Sequence, residues 1–167
     1  MSENVFYFRA HLMVPVSSTI VFGYLTNTSA YPEWWGSVVK RSLPKGNTPS
    51  NEVGAKCAMD IRGLLPIVLH LEHTVKEITD PSHILFETHG DLSGMGRWTL
   101  EDVDAGCRIT FEWSITPERK LIRTLSPFLR PVFRMHHKYC LRQAGLGLKR
   151  EIVRKLNRLP LSSVPMF

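Results

Sequence analysis

Cys107–Pro117, CRITFEWSITP, runs by way of ERK into LIRTLSPFLRPVFRMHHKYCLRQAGLGLKR at 121–150, and the periodicity of the chain changes between the two. In the first segment Ile109, Phe111, Trp113 and Ile115 alternate with Arg108, Thr110, Glu112 and Ser114, the pattern of a strand with one apolar and one wet face. In the second the alternation stops and apolar residues recur at helical spacing. Proline is tolerated in a first helical turn. A start between Ser126 and Pro131 is therefore expected, and a helix over Pro131–Asn157. Its length would be roughly 40 Å, and so long a helix needs a broad curved apolar surface to lie against.

Upstream, that surface is legible as strands. SVVKRSL (37–43), AKCAMDIR (55–62), IVLHLEHTVKEI (67–78), SHILFETHG (82–90) and GRWTLEDV (96–103) each alternate, with turn-rich breaks between them. Short breaks between consecutive strands favour an antiparallel meander. Val5–Val14 is a further strand whose even positions, Phe6 to Leu12, point inward. A helix capped by Ser17 or Ser18 and a second short one in TSAYPEWWG (28–36) follow it. The expectation is one α+β domain over residues 1–167: a curved antiparallel sheet of about seven strands around a long C-terminal helix, with two short helices after the first strand. Such a sheet leaves room for a cavity beneath the helix.

Composition narrows the classes. The chain has 167 residues, 43% of them hydrophobic, which suits one domain. No run of eighteen apolar residues is present, so no membrane-spanning helix is expected. Glu3 and the alternation after it argue against a secretory signal. Cys57, Cys107 and Cys140 are far apart and form no CxxC, so neither a disulfide framework nor a structural zinc site is expected, and buried thiols fit a cytoplasmic protein. Charge is uneven: Glu118–Arg158 carries twelve Lys or Arg against two Glu, although the whole chain is only +6. A basic helix favours transient contact with an anionic membrane, giving a cytoplasmic protein at the membrane periphery. Interleaved aromatics and nucleic-acid motifs are missing, so nucleic acid is not an expected partner.

Several segments carry a resemblance to a known superfamily: AYPEWW (30–35), GDLSGMGRWTLED (90–102), CRITFEWSITP (107–117) and LSPFLRPVFRMHHKYCLRQAGLGLKR (125–150). Together they resemble the SRPBCC superfamily (START and birch-pollen-allergen proteins), in its polyketide cyclase/dehydrase and lipid-transport branch. The resemblance covers Val5 to about Lys155. It implies the helix-grip fold and a cavity for a hydrophobic or amphipathic small molecule. A reaction is not implied, since carriers, sensors and cyclase- or dehydratase-type enzymes share the scaffold.

Candidate site residues follow from the faces. His136 and His137 are adjacent, hence about 100° apart on a helix, and cannot chelate one metal; no metal site or cofactor is expected. Reading the helix from Pro131 puts His136, Tyr139 and Gln143 on the inward face with Val132, Met135, Cys140 and Gly147, opposite Arg134, Lys138, Arg142 and Lys149. Those three are either core polar groups bonded to the protein or contacts for a ligand's polar group. His73 is the one inward polar residue of an apolar strand face, and Trp98, Phe111 and Trp113 are inward aromatics. Of Trp34 and Trp35, one packs and the other, taken as Trp35, stands at the cavity mouth. Leu64, Leu65 and Pro66 form an apolar turn suited to a lid, a membrane-touching tip or burial under a neighbour. Glu87 and His89 lie on the polar side of their strand as a weaker acid/base candidate. Oligomeric state is not legible.

Overall fold

The computed structural model describes residues 4–158. Seven strands form one antiparallel sheet in the order β1-β7-β6-β5-β4-β3-β2. They are β1 (Phe6–Val14), β2 (Val39–Lys45), β3 (Lys56–Ile61), β4 (Leu69–Thr79), β5 (His83–Gly90), β6 (Leu92–Val103) and β7 (Gly106–Pro117). Six of them form a meander, while β1 returns to pair with β7, Phe6 opposite Ile115 and Val14 opposite Cys107. Helix α1 (Ser18–Thr26), a 3-10 turn (Thr28–Ala30) and α2 (Tyr31–Trp34) carry the chain from one sheet edge to the other.

Alternation sets the inner face as expected. Along β1, Phe6, Phe8 and Val14 are buried while Tyr7, Arg9, His11 and Met13 are exposed. Ile84, Phe86 and Thr88 of β5 are buried likewise. Phe86 has room because Gly96 faces it: a Cβ there would lie 2.2 Å from the ring's Cζ. At the start of α1 the Asp102 carboxylate accepts from the Ser18 backbone N–H at 2.6 Å and from its hydroxyl at 2.8 Å. These two bonds hold its pKa below the usual carboxylate range. Ser17 stands at the N-cap position but makes no side-chain cap bond.

The C-terminal helix departs from expectation at its start. α3 spans Lys120–Leu156, 37 residues and about 55 Å long, with Pro127 and Pro131 inside it. Proline removes an N–H and normally strands the carbonyl four residues earlier. For Pro127 that carbonyl belongs to Arg123, and the Asn4 side-chain amide donates to it at 3.2 Å. An amide from the start of the chain thus replaces a helix bond.

The phase of α3 also differs from the sequence reading. Among its described residues the buried ones are Ile122, His137, Cys140, Leu141, Ala144, Gly145, Leu148, Glu151 and Ile152. Met135, expected inside, is 58% exposed, and Val132, Tyr139 and Gln143 are only half-buried. Arg134, Lys138, Arg142 and Lys149 are exposed as expected. The error is about one residue. It arose because this helix carries apolar residues on two sides, so periodicity by itself left the inward one undecided.

Candidate functional site

The inner face of the sheet, α3 and the loop at 62–68 enclose a cavity of about 140 Å³. Its wall is built from strand positions two residues apart, as in Phe111, Trp113 and Ile115, and from helix positions Phe133, His137 and Leu141. Aromatic rings follow one another along it. Successive centroids from His73 to Phe86, Phe111, His137 and Phe8 lie 4.6, 6.3, 5.8 and 4.2 Å apart. Trp98 and Trp113 flank Phe111 at 4.2 and 6.1 Å.

Two buried polar atoms of this largely apolar wall lack a partner. The Nε2 atoms of His73 and His137 are buried with no hydrogen-bond partner among the described residues. Burial pushes the His73 pKa down to about 4. For His137 burial again, with the neighbouring His136 adding to it, gives about 4. Both rings are therefore neutral near pH 7. Among the described residues no carboxylate acts on either ring, and the Trp113 indole N–H is already donated to Thr88 Oγ1 at 3.2 Å. The thiols of Cys57 and Cys140, which also line the cavity, are raised by burial to about 11 and about 12 and stay protonated. All three cysteines are free and buried.

The loop closes one side. Leu65 and Ile67 point into the cavity, and the Leu64 backbone N–H donates to His136 Nδ1 at 3.2 Å. Gly63 lies so close to α3 that a Cβ would meet His136 Cε1 at 2.3 Å and Cys140 Sγ at 2.8 Å. An enclosed space near 150 Å³ is enough for one benzene-sized group. Anything larger needs the loop and α3 to move apart.

Of the residues singled out in the sequence, Trp35, His73, Trp98, Phe111, Trp113 and His136 line this cavity. Trp35 does so as a packed wall, its indole N–H donating to the Cys140 carbonyl at 3.0 Å. Tyr139 and Gln143 do not line it; Tyr139 packs against the main core from the side. The sequence reading missed His137, which the helix phase concealed, and also Phe8 and Phe86. Those two stood on recognisable inward faces, and only the closure of the sheet brings them to the cavity. Glu87 and His89 pair 3.3 Å apart on the outer face with Lys76 beside Glu87, away from the cavity. Among the described residues no group of His, Cys, Asp and Glu is arranged to hold a metal ion.

Residues 7–150 match the family described as polyketide cyclase / dehydrase and lipid transport. The chain belongs to that family. No curated protein matches the sequence significantly. Among solved structures, this polyketide cyclase/dehydrase-family chain is similar to the Zhui aromatase/cyclase from Streptomyces sp. R1128. The TM-score is 0.73 at 10% identity, with 96% of this chain and 99% of that one covered. It is also similar to the di-domain aromatase/cyclase StfQ from the steffimycin biosynthetic pathway, at TM-score 0.64 and 17% identity, with 88% of this chain covered. The chain spans about half of StfQ, 52% of its length. A Staphylococcus aureus protein of unknown function matches at TM-score 0.68 and 7% identity, covering 95% of this chain and 99% of that one. At such identities the likeness shows the helix-grip fold. No helix of the described residues is long and apolar enough to cross a membrane.

Proposed function

We propose that this family member binds a hydrophobic or amphipathic small molecule, lipid- or polyketide-like, inside the helix-grip cavity, as a carrier or sensor. The observation that carries the reading is the pair of imidazole nitrogens, His73 Nε2 and His137 Nε2, unpartnered among the described residues in a largely apolar, aromatic-rich wall. A buried polar atom without a partner costs about 1–3 kcal/mol, and a ligand hydroxyl or carbonyl would relieve that cost. The preferred ligand is therefore apolar with an oxygen placed deep inside, and planar enough to lie along the stacked rings.

A second reading, a cyclase or dehydratase-type enzyme, draws support from the same histidines as proton-transfer groups. Their pKa values near 4 weaken it, because an effective general base is matched to the working pH and these sit well below it. Binding is the reading the electrostatics favour. Titration of 2-naphthol and naphthalene, followed by quenching of Trp98 and Trp113, tests it together with native mass spectrometry of the purified protein. Saturable one-to-one binding with naphthol preferred is expected. If neither probe saturates and no co-purified small molecule is seen, the reading fails. Turnover of a poly-β-keto thioester without net binding preference would move it to the enzyme.

A further inference from the structure

Helix α3 has a second apolar side that no other element among the described residues covers. Leu121, Leu125, Phe128, Val132 and Met135 stand at i, i+4, i+7, i+11 and i+14, within about 80° of arc. Phe128 is 84% and Leu121 is 71% exposed. Most cavity-lining residues of the same helix, Ile122, Phe133, His137, Cys140 and Leu141, point away from it, with His136 between the two sides. Leu64, exposed and hydrogen-bonded through its backbone to His136, lies beside the turn that presents Met135.

Charge says what kind of surface this side fits. From Arg119 to Arg150 the chain has nine Lys or Arg and no Asp or Glu. Lys120, Lys138 and Arg142 fall along one flank of the stripe and Arg134 stands behind them, with stems long enough to reach past it. A second copy docking through the same helix would bring two such cationic faces together. A folded protein partner would need a groove for this convex ridge, whereas fluid acyl chains accept a ridge of any shape. An apolar strip beside a cationic flank is the arrangement of a helix lying in the plane of a charged lipid interface.

We propose that the outer face of α3 docks on an anionic phospholipid surface, with Leu121, Leu125, Phe128 and Met135 entering the headgroup boundary and the flanking Lys and Arg meeting lipid phosphates. The proposal goes beyond the cavity reading and does not depend on which ligand the cavity takes. It places the membrane against the helix whose inner side is the cavity wall, so that only the thickness of α3 separates bilayer from cavity.

The test is flotation of the full chain with phosphatidylcholine vesicles, with and without phosphatidylglycerol. Binding to the phosphatidylglycerol vesicles is expected, weakening steeply with added salt. Leu121→Ser with Phe128→Ser should lower the affinity at least tenfold, and Arg134→Glu with Lys138→Glu should remove most of the preference for phosphatidylglycerol. Val53→Ser, at an exposed apolar residue away from α3, should change nothing. All these side chains are exposed, and unaltered melting curves would confirm intact folds. Failure of the wild type to float overturns the proposal, whether or not the stripe then proves to hold a second copy (read by light scattering) or a protein partner. Equal flotation of the Leu121/Phe128 variant overturns it as well. Naphthol titration of that variant separates the two readings, since it reports on the cavity whatever the vesicles do.

Discussion

His137 of α3 stacks on Phe8 of β1, ring centroids 4.2 Å apart and planes within 15°. The contact joins the helix to the sheet edge directly over the cavity and carries an imidazole whose Nε2 has no partner among the described residues. Packing therefore accounts for the ring, and under the binding proposal a ligand oxygen would partner the nitrogen.

His137→Phe keeps the stacking and removes the orphan. Stability without ligand is expected to hold or to rise by up to about 1 kcal/mol, because an unsatisfied buried atom is gone. Affinity for 2-naphthol should fall about tenfold, equivalent to about 1.4 kcal/mol, toward that for naphthalene. Thermal melts paired with titrations check both. A variant that loses stability while retaining its naphthol preference would place His137 in the core rather than in the site.

Acid should destabilise the protein through His73 and His137. Both have folded pKa values of about 4, below the ordinary value near 6.5, so the unfolded chain binds protons first. Stability is fully present above about pH 6.5 and is lost as pH falls from there toward about 4. The salt-linked carboxylates, such as Asp60 and Glu151, are lowered from their own values and act only at lower pH. Unfolding free energies from urea melts should fall between about pH 7 and about pH 5 by an amount on the order of 1–2 kcal/mol per histidine. The double variant His73→Phe, His137→Phe should flatten that slope, and an unchanged slope would contradict the assignment.

Gly63→Ala inserts a methyl group against His136 and Cys140. The loop at 62–68 must then lift from α3. Probe dissociation should quicken several-fold in stopped flow, and stability should fall by about 1–3 kcal/mol as overpacking does elsewhere. Combining the change with His136→Ala should restore most of both, although the Leu64 hydrogen bond is lost. If the two changes prove simply additive, the loop does not close the cavity through this contact.

Asn4 and Pro127 should be coupled although 123 positions separate them in the sequence. Asn4→Ala removes the amide's donation to the Arg123 carbonyl and should cost up to about 1 kcal/mol. In a Pro127→Ala background the new backbone N–H takes over that carbonyl, and the cost should largely vanish. A double-mutant cycle measures the difference, and a coupling of zero would show that the Asn4 bond is not a replacement for the missing helix bond.

The one-dimensional pattern carried most of the fold. Alternation in CRITFEWSITP and its upstream counterparts sets which side chains enter the sheet's inner face, because a period of two leaves no other choice. That is why Phe6, Phe8, Trp98 and Phe111 were placed inward correctly. The family was legible as well, from segments spread over nearly the whole chain.

Tertiary structure decided the rest, and α3 shows why. Helical periodicity reports an apolar side only when there is one, and this helix has two, so Met135 and Tyr139 were read as inward while His137 was missed. Which side faces the sheet depends on Phe8, Phe86 and Phe111 receiving it, on strands distant in sequence. The helix start was misread for a similar reason: two prolines ordinarily end a helix, but Asn4, from the opposite end of the domain, satisfies the carbonyl that Pro127 strands. Local sequence determined the strands and their faces, since backbone geometry repeats along the chain. Long-range contacts determined the phase of α3, the closure of the loop by Gly63 and the meeting of His73 and His137 in one cavity, since no local period encodes them.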